Sequence, residues 1–376
     1  MTGIASGRCP SALAMTSVAV LKGLCARAGM RPEKSSGQHF LVSRATLDRI
    51  VAAVDPQPTD TILEVGAGFG VLTTALAERI ASPPFIPPPH GMGRGKIGGG
   101  VRRGCIIAIE RDRHITPILK ELVAPYGNVE VVEGNVLRLL SLRGRSRSNP
   151  GQLGTELSAH GRDCFAVARN DTEKVFKVAA NLPYSITSDF LRLLFDRVAD
   201  GSLPTPERAV LLLQREVVDR LCADPAQQRE RKNVGMLTVL TQLHCTARRI
   251  ARVPPSAFWP PPKVESAVVV LEHWRSPEEI REFLGGVSRD EFLRIVHVCF
   301  ARRRAQLQTT VSHVIARPQP KQSRSTGDSA LHSWPGLLRF ARNDKAFWDA
   351  IGIPPTARPE TLSIAEWIAL SRALQS

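Results

Sequence analysis

Apolar and polar positions along the chain predict strands and helices in alternation up to about residue 271. Short apolar runs are separated by amphipathic stretches such as Arg44–Val54, in which Leu47, Ile50 and Val51 share one helical face. This alternation is typical of an α/β sheet. From residue 276 onward the pattern is helical only, and Asp290–Gln308 is predicted to be a single helix. The predicted strands are 61–65, 105–109, 129–132, 175–180, 209–213, 246–252 and 266–271.

Three aperiodic stretches interrupt this pattern. Residues 82–104, 141–174 and 315–345 are rich in Pro, Gly, Arg or Ser, and we interpret them as insertions. Residues 1–32 contain no acidic residue and are expected to be a disordered or loosely docked extension, with a weak targeting peptide as the alternative.

The chain of 376 residues is long enough for two domains with cores of their own. The alternating pattern predicts an α/β domain over residues 33–274, which includes the first two insertions. The helical pattern predicts a smaller helical domain over residues 275–376, which includes the third insertion.

Basic residues outnumber acidic ones by 50 to 35, which gives a formal net charge of +15. Such a surplus favours a polyanionic partner, most simply nucleic acid, although a generic basic protein would also show it. A basic run near a helix end also suits the helix dipole, so phosphate contact is one of two explanations for the run at 302–304. The candidate nucleic-acid contacts are Arg248, Arg249, Lys263, Arg302, Arg303 and Arg304.

The seven cysteines are scattered and form no C-x-x-C pair. Their spacing argues against a metal site and a disulfide framework, and for a reducing compartment. No apolar run approaches the roughly 20 residues that span a bilayer, so no membrane association is expected.

A glycine-rich turn follows the first predicted strand of the sheet. Gly66 and Gly68 allow the backbone to approach a ligand closely where the chain enters a helix. Glu110 ends the second predicted strand, where an acid typically binds a ribose diol. Nicotinamide enzymes and methyltransferases share this pattern, so it does not separate the two classes.

The sequence Asn181-Leu182-Pro183-Tyr184 follows an apolar strand and precedes a helix. The Asn181 oxygen and a backbone carbonyl of Leu182 or Pro183 would together accept both hydrogens of an exocyclic nucleobase amine. These two hydrogen bonds would push the amine nitrogen, which is a poor nucleophile, towards tetrahedral geometry. Tyr184 offers a ring for stacking the base. An ordinary strand-to-helix turn also favours Asn and Pro.

A proline-locked loop, Val253–Val264, presents Phe258, Trp259 and Lys263. We expect at least one of the two aromatic rings to stack on a base near Asn181. The alternative is that both rings simply cover the end of the sheet.

Together these segments resemble the ribosomal RNA adenine dimethyltransferases. They occur in the family's order and cover residues 34–374 apart from the insertions. The combination of the proline loop with the N-L-P-Y turn is far more specific than the glycine turn. The matching segments are Gly37–Leu41, Leu63–Gly70, Ala108–Asp112, Asn181–Tyr184, Leu213–Leu221, Val253–Val270 and Ala301–Arg304.

The resemblance implies a Rossmann-like methyltransferase sheet, a C-terminal helical RNA-binding domain and S-adenosylmethionine as methyl donor. The implied substrate is two adjacent adenines near the 3′ end of small-subunit (16S) rRNA, each dimethylated on N6 within an immature subunit. A cytoplasmic monomer without a metal is expected. The implied catalytic residues are Asn181, Leu182, Pro183, Tyr184 and Phe258, and the implied cofactor-binding residues are His39, Leu41, Gly66, Gly68, Glu110, Asn135 and Asn181.

One departure from the family concerns Asn135, where the family usually has Asp. The amide keeps an acceptor oxygen for the cofactor's adenine but loses the charge, so weaker cofactor binding is expected. A turn-forming Asn is an equally simple explanation of this residue.

Two rival functions stay open at the level of sequence. A DNA adenine-N6 methyltransferase is the nearest enzymatic rival, although an acidic N/D-P-P-Y turn would be more usual there. A catalytically weak ribosome-assembly or RNA-binding factor of the same fold is the other, suggested by Asn135 and the insertions.

Overall fold

The computed structural model describes residues 11–30, 38–80, 104–141, 175–303, 305–316 and 345–375. Apart from their end residues, the three predicted insertions lie outside the described residues, as do Gly37 and Arg304. The chain divides into two compact units, Met1–Val218 with Thr246–Trp274, and Asp219–Cys245 with Arg275–Ser376.

The first unit is built on a seven-stranded sheet, which confirms the predicted α/β class. In the order β4-β3-β2-β5-β6-β9-β7, the first five strands are parallel and the last two are antiparallel to their neighbours. A separate two-stranded ribbon joins β1 to β8. The strands are β1 Phe40–Leu41, β2 Thr61–Val65, β3 Cys105–Glu110, β4 Val129–Glu133, β5 Phe176–Asn181, β6 Arg208–Gln214, β7 Thr246–Val253, β8 Phe258–Trp259 and β9 Ser266–Glu272.

Helices follow the parallel strands because each strand end is succeeded by a turn and an amphipathic run. Strands β2, β3 and β6 of the sheet are buried along almost their whole length, so their near-continuous apolar sequences fit a helix-covered sheet. The first unit's helices are α1 Ala12–Met15, α2 Val18–Arg27, α3 Arg44–Val54, α4 Val71–Ile80, α5 Thr116–Val123, α6 Val136–Ser141 and α7 Thr187–Ala199, and α8 Arg215–Leu221 leads into the second unit.

The second unit is helical where the structure describes it. It includes residues 219–245, which the sequence placed in the first domain. One contact within this unit is made by Arg275, whose guanidinium donates to the carbonyls of Gln242 and Leu243 at 2.9 Å each. The helices are α9 Met236–His244, α10 Pro277–Leu284, α11 Arg289–Phe300, α12 Leu307–Ala316, α13 Lys345–Ile351 and α14 Ile364–Ala373.

The prediction of one helix over Asp290–Gln308 is wrong. Helix α11 ends at Phe300, and the next helix begins at Leu307. Tight turns close the break, in which the Arg303 N–H donates to the Phe300 carbonyl at 3.2 Å. The break places the Arg303 guanidinium against the carbonyls of Arg231 and Lys232, at 2.6 and 2.7 Å.

The N-terminal segment also differs from the disordered extension expected for residues 1–32. Residues 11–30 include helices α1 and α2, and the side chains of Met15 and Leu21 are fully buried in the core of the first unit. The Ala12 N–H donates to the Glu78 carboxylate on α4 at 3.2 Å. The apolar residues of this segment recur at helical spacing, although Thr and Ser interrupt them, and they bury one helical face. The position of the segment near the chain terminus would not predict this burial.

We predict that Met15→Ala lowers the free energy of unfolding by about 2–5 kcal/mol, because it removes a buried side chain that packs on α4. Leu13→Ala in the same helix is the matched control. Leu13 is 49% exposed, so its truncation changes stability by no more than about 0.5 kcal/mol. Urea unfolding measures both variants, and equal stability of the two would show that α1 does not belong to the folded unit.

Candidate active site

The candidate site lies at the carboxyl ends of the parallel strands. Strand β2 has β3 on one side and β5 on the other, so the strand order reverses there. In open α/β sheets, ligands bind at such a switch point. A cavity of about 550 Å³ opens there. All residues predicted for cofactor binding and catalysis line it, namely His39, Leu41, Gly66, Gly68, Glu110, Asn135, Asn181, Leu182, Pro183, Tyr184 and Phe258.

The glycine bend connects β2 to helix α4 through backbone conformations that favour glycine. Gly66, Gly68 and Gly70 have φ values of +75°, +57° and +85°. A Cβ at Gly66 would lie 3.0 Å from the backbone carbonyl oxygen of Asn181. The glycine bend and the N-L-P-Y turn therefore lie directly against each other on the same side of the sheet.

Glu110 fastens the glycine bend to the end of β3. Its carboxylate accepts the Gly68 N–H at 2.7 Å and the Asp112 N–H at 2.8 Å. Burial raises the pKa of Glu110, while these hydrogen bonds act in the opposite direction. The carboxylate thus has a structural role in addition to the predicted contact with a ribose, which stays a prediction.

Glu64 is a cavity-lining acid that sequence reasoning missed. It lies in β2 and is only 1% exposed, and its Oε2 makes no hydrogen bond within the described residues. Burial, with a further contribution from Glu110, raises the pKa of Glu64 to about 8. A single acid inside the otherwise apolar strand Thr61–Val65 was the available signal.

This arrangement fits S-adenosylmethionine on its own chemistry. The ligand carries a sulfonium and an ammonium group, and the buried Glu64 carboxyl, whose Oε2 makes no hydrogen bond within the described residues, can accept a hydrogen bond from the ammonium group. The bend at Gly66 and Gly68 leaves no side chain between backbone and ligand. Glu110 at the end of β3 supplies a second carboxyl in the same cavity.

Asn181 ends β5 with its side chain held in one orientation. Its Nδ2 donates to the His39 carbonyl at 3.3 Å, so Oδ1 points away from that bond as an acceptor. The Pro183 carbonyl already accepts from the Ile186 N–H at 3.1 Å and from the Thr187 hydroxyl at 3.3 Å. Of the two backbone carbonyls considered from the sequence, the Leu182 carbonyl is therefore favoured as the second acceptor.

The ribbon of β1 and β8 forms the wall beside this turn. Leu41 pairs with Phe258, which lines the cavity, and the His39 ring bonds to the Pro260 carbonyl through Nδ1 at 2.8 Å. The His39 ring also contacts the Tyr184 ring, with centroids 5.5 Å apart. The proline loop thus holds the segment before α3 against the N-L-P-Y turn.

Asn135 caps helix α6 as well as lining the cavity. Its Oδ1 accepts the Leu137 N–H at 3.0 Å, as in an Asx turn. The turn-forming role considered from the sequence is thus present. Contact with a cofactor adenine stays a prediction.

The candidate RNA-binding residues occupy different surroundings. Arg248 and Arg249 are exposed on β7 at the edge of the sheet, where Arg248 pairs with Glu272 at 3.3 Å, and Lys263 is exposed in the proline loop. In the second unit Arg302 is exposed, whereas Arg303 donates to backbone carbonyls. The RNA contacts of all these residues stay predictions.

Neither a metal cluster nor a membrane helix occurs in the part of the chain that the structure describes. There, no group of three or more His, Cys, Asp and Glu side chains could hold a metal ion. None of the described helices is long and apolar enough to cross a bilayer.

The model of the family described as ribosomal RNA adenine dimethylase matches residues 30–83 and 105–328 of this chain. The chain belongs to the ribosomal RNA adenine dimethylase family. Its members transfer methyl groups from S-adenosylmethionine to adenine N6 in ribosomal RNA, so this chain is an S-adenosylmethionine-dependent methyltransferase that acts on rRNA. The unmatched stretch between the two matched ranges falls within the predicted insertion 82–104.

Two relatives match nearly their whole length. A ribosomal RNA small subunit methyltransferase A of Anaeromyxobacter dehalogenans is 34% identical over 358 residues, which cover 94% of this chain and 97% of the relative. One of Synechococcus elongatus is 30% identical over 341 residues, which cover 91% and 94%.

Solved structures share the fold of this family. A dimethyladenosine transferase from Plasmodium falciparum superposes with a TM-score of 0.57 at 21% identity, covering 88% of this chain and 96% of that one. The 23S rRNA methyltransferase ErmE superposes with a TM-score of 0.51 at 20% identity, covering 90% and 100%. These structures support the Rossmann-like methyltransferase fold.

We predict that Gly66→Ala weakens both folding and cofactor binding. The new Cβ meets the Asn181 carbonyl at 3.0 Å and also strains a left-handed backbone. The matched control is Gly201→Ala, with φ +72° and open space around the new Cβ, so it carries only the strain of about 1–2 kcal/mol. Calorimetry with S-adenosylhomocysteine and urea unfolding measure both effects. Native binding by Gly66→Ala would contradict this contact.

We predict that the stability of Glu64→Gln relative to that of the native protein is higher at about pH 8 than at about pH 5. The folded protein keeps the Glu64 proton up to about pH 8, whereas an ordinary carboxyl with a pKa of 4.5 ionises in the unfolded chain. Stability therefore falls as pH rises through this window, by up to about 1.4 kcal/mol per pH unit.

The substitution removes this dependence because glutamine carries no charge at any pH. Glu282→Gln, at an exposed position in the second unit, is the control and keeps the native pH dependence. Thermal unfolding across the pH range measures the pH dependence of stability for both variants and for the native protein. The same pH slope in the native protein and Glu64→Gln would show that Glu64 does not hold a proton in the cavity.

Proposed function

We propose that this enzyme dimethylates N6 of two adjacent adenosines near the 3′ end of the small-subunit (16S) rRNA during assembly of the subunit. The small-subunit assignment is supported by relatives that match over 91–94% of this chain. The observation that carries the proposal is the contact between the glycine bend at Gly66 and the turn at Asn181, which brings the residues predicted for cofactor binding and those predicted for amine binding into one cavity.

Asn181 and Leu182 would hold the target amine. The lone pair of an exocyclic amine is delocalised into the purine ring, which makes the nitrogen a poor nucleophile. Two acceptors, Asn181 Oδ1 and the Leu182 carbonyl, would bind its two hydrogens and favour a tetrahedral nitrogen. Positioning of this kind supplies much of the acceleration of a two-substrate reaction, and fixed dipoles stabilise the charge that develops on nitrogen.

The remaining residues orient the base and the methyl donor. S-adenosylmethionine, when bound, supplies an activated methyl group on a positively charged sulfur. Glu64, Glu110 and the bend at Gly66 would hold it, while Tyr184 and Phe258 would flank the adenine. The methylated nitrogen is acidic enough to lose its proton to water, so no side chain is assigned as a general base.

We predict that Asn181→Ala abolishes methyl transfer, with a loss of at least about 100-fold, because a preorganised polar group at the reacting nitrogen is removed. Cofactor binding is reduced but measurable, since the glycine bend and Glu110 are intact. The measurement is transfer of labelled methyl groups to small subunits that lack the modification. Asn233→Ala, in a turn of the second unit, is the control. Equal activity of Asn181→Ala and the native protein would refute the role of Asn181.

The same assay separates the rival functions. Immature small subunits, duplex DNA and large-subunit rRNA are offered in parallel at equal adenine concentration. The proposal requires transfer to the small subunit and two dimethylated adenines in its RNA. Preferential transfer to DNA would favour a DNA methyltransferase. Cofactor binding without transfer to any substrate would favour a non-catalytic assembly factor.

We also propose that the enzyme acts as a cytoplasmic monomer that recognises an immature subunit and needs no metal. Sedimentation in solution tests whether the protein is a monomer, and unchanged activity in the presence of a chelator tests whether it needs no metal. Fractionation of cells and of their assembling subunits tests the location and the partner.

A further inference from the structure

The hydroxyl of Tyr184 is bonded to a side chain that belongs to a distant part of the sheet. Its oxygen lies 2.6 Å from Ser266 Oγ, and the two residues are 82 positions apart in sequence. Ser266 is fully buried, and it is the first residue of β9. A buried serine hydroxyl bonded to a side chain that lines the ligand cavity calls for a reason, and core packing would be served as well by alanine.

The direction of β9 explains why Ser266 reaches this place. Because β9 runs antiparallel to β6, its first residue lies at the carboxyl ends of the parallel strands, which is the ligand edge of the sheet. Ser266 pairs with Gln214 of β6 on one side and with Val253 of β7 on the other. Its backbone is thus fixed by two neighbouring strands, which makes it a rigid anchor.

Tyr184 itself belongs to a less regular part of the chain. It begins a short turn, Tyr184–Ile186, between β5 and α7. The ring is restrained on one side by the His39 ring and at its tip by Ser266. Without the bond at its tip, the ring would keep its contact with His39 but lose the restraint on its hydroxyl end.

We propose that Ser266 is a positioning residue for methyl transfer, which holds the Tyr184 ring as a fixed stacking face for the target adenine. This inference rests on the proposed function, because it assigns the ring to the base. The gain is entropic, since a ring that is already ordered loses no rotamer freedom when the base arrives. Ser266 acts through Tyr184 and does not itself contact the substrate.

Burial supports this reading of the pair. It raises the pKa of Tyr184, while the bond to Ser266 acts in the opposite direction. The phenol is therefore neutral in the enzyme, and its hydroxyl and that of Ser266 form a neutral pair in which either can donate.

The test combines kinetics with direct observation of the ring. We expect Ser266→Ala and Tyr184→Phe each to lower kcat by up to about tenfold, the order expected for one neutral hydrogen bond, with unchanged affinity for S-adenosylhomocysteine. The double variant falls no further than either single variant, since both remove the same bond. Ser266→Thr, which keeps the hydroxyl, restores activity. Ser371→Ala is the control, because it removes another fully buried hydroxyl, bonded to Trp367 in the second unit, and leaves kcat unchanged.

A second readout does not depend on activity. The chain has two tyrosines, so Tyr126→Phe leaves Tyr184 as the single tyrosine signal in NMR of the labelled ring. In that background Ser266→Ala raises the pKa of Tyr184 further and increases ring mobility, because the hydroxyl that stabilises the phenolate is gone.

The outcomes separate the two levels of the proposal. Native kcat in Ser266→Ala, or losses that multiply in the double variant, would overturn the positioning role. A tyrosine NMR signal that is unchanged in Ser266→Ala would show that Ser266 does not restrain the Tyr184 ring. Failure of the native protein to methylate any RNA would instead count against the proposed function, and the NMR readout would still decide whether Ser266 fixes the ring.

Discussion

The parallel pairing of β2 with β5 is the constraint on which the site depends. Val65 lies opposite Ala180, so Gly66, which follows the end of β2, and Asn181, which ends β5, lie at the same height. The absent side chain of Gly66 lets the Asn181 carbonyl approach to a distance at which a Cβ would be crowded. A shift of one residue in this register would turn Asn181 to the other face and separate the two halves of the site.

The second half of the site is supplied by elements that are not parallel. The ribbon of β1 and β8 brings His39 and Phe258 to the cavity, and Ser266, the first residue of β9, bonds to the hydroxyl of Tyr184, which lines the cavity. The buried carboxyls Glu64 and Glu110 carry raised pKa values, and desolvation opposes their charged forms. Such groups are kept at functional sites even though they do not favour folding.

Much of this arrangement was predictable from sequence because its determinants are local. The glycine bend, the acid at 110 and the N-L-P-Y turn each follow an apolar strand, and strand ends of a parallel sheet meet at one edge. The fold, the family and the cofactor were therefore confirmed. The site roles of individual residues stay predictions.

What the sequence could not provide depends on tertiary contacts. Burial of Met15 requires the surface of α4, and the membership of residues 219–245 in the second unit depends on tertiary contacts such as those that Arg275 makes with Gln242 and Leu243. The break after Phe300 occurs within a continuous helical pattern and is set by contacts such as that of Arg303. Glu64 is visible in the sequence as an acid in an apolar strand, but its burial at the cavity is visible only in the fold.

We infer that one cavity holds both the methyl donor at the glycine bend and the target adenine at Asn181. A crystal structure of the protein with S-adenosylhomocysteine and adenosine tests it most directly. We expect the thioether sulfur beside Gly66 and the adenosine N6 within hydrogen-bond distance of Asn181 Oδ1, with the Tyr184 ring against the base. Adenosine bound on another face of the sheet, or with N6 turned away from the sulfur, would contradict it.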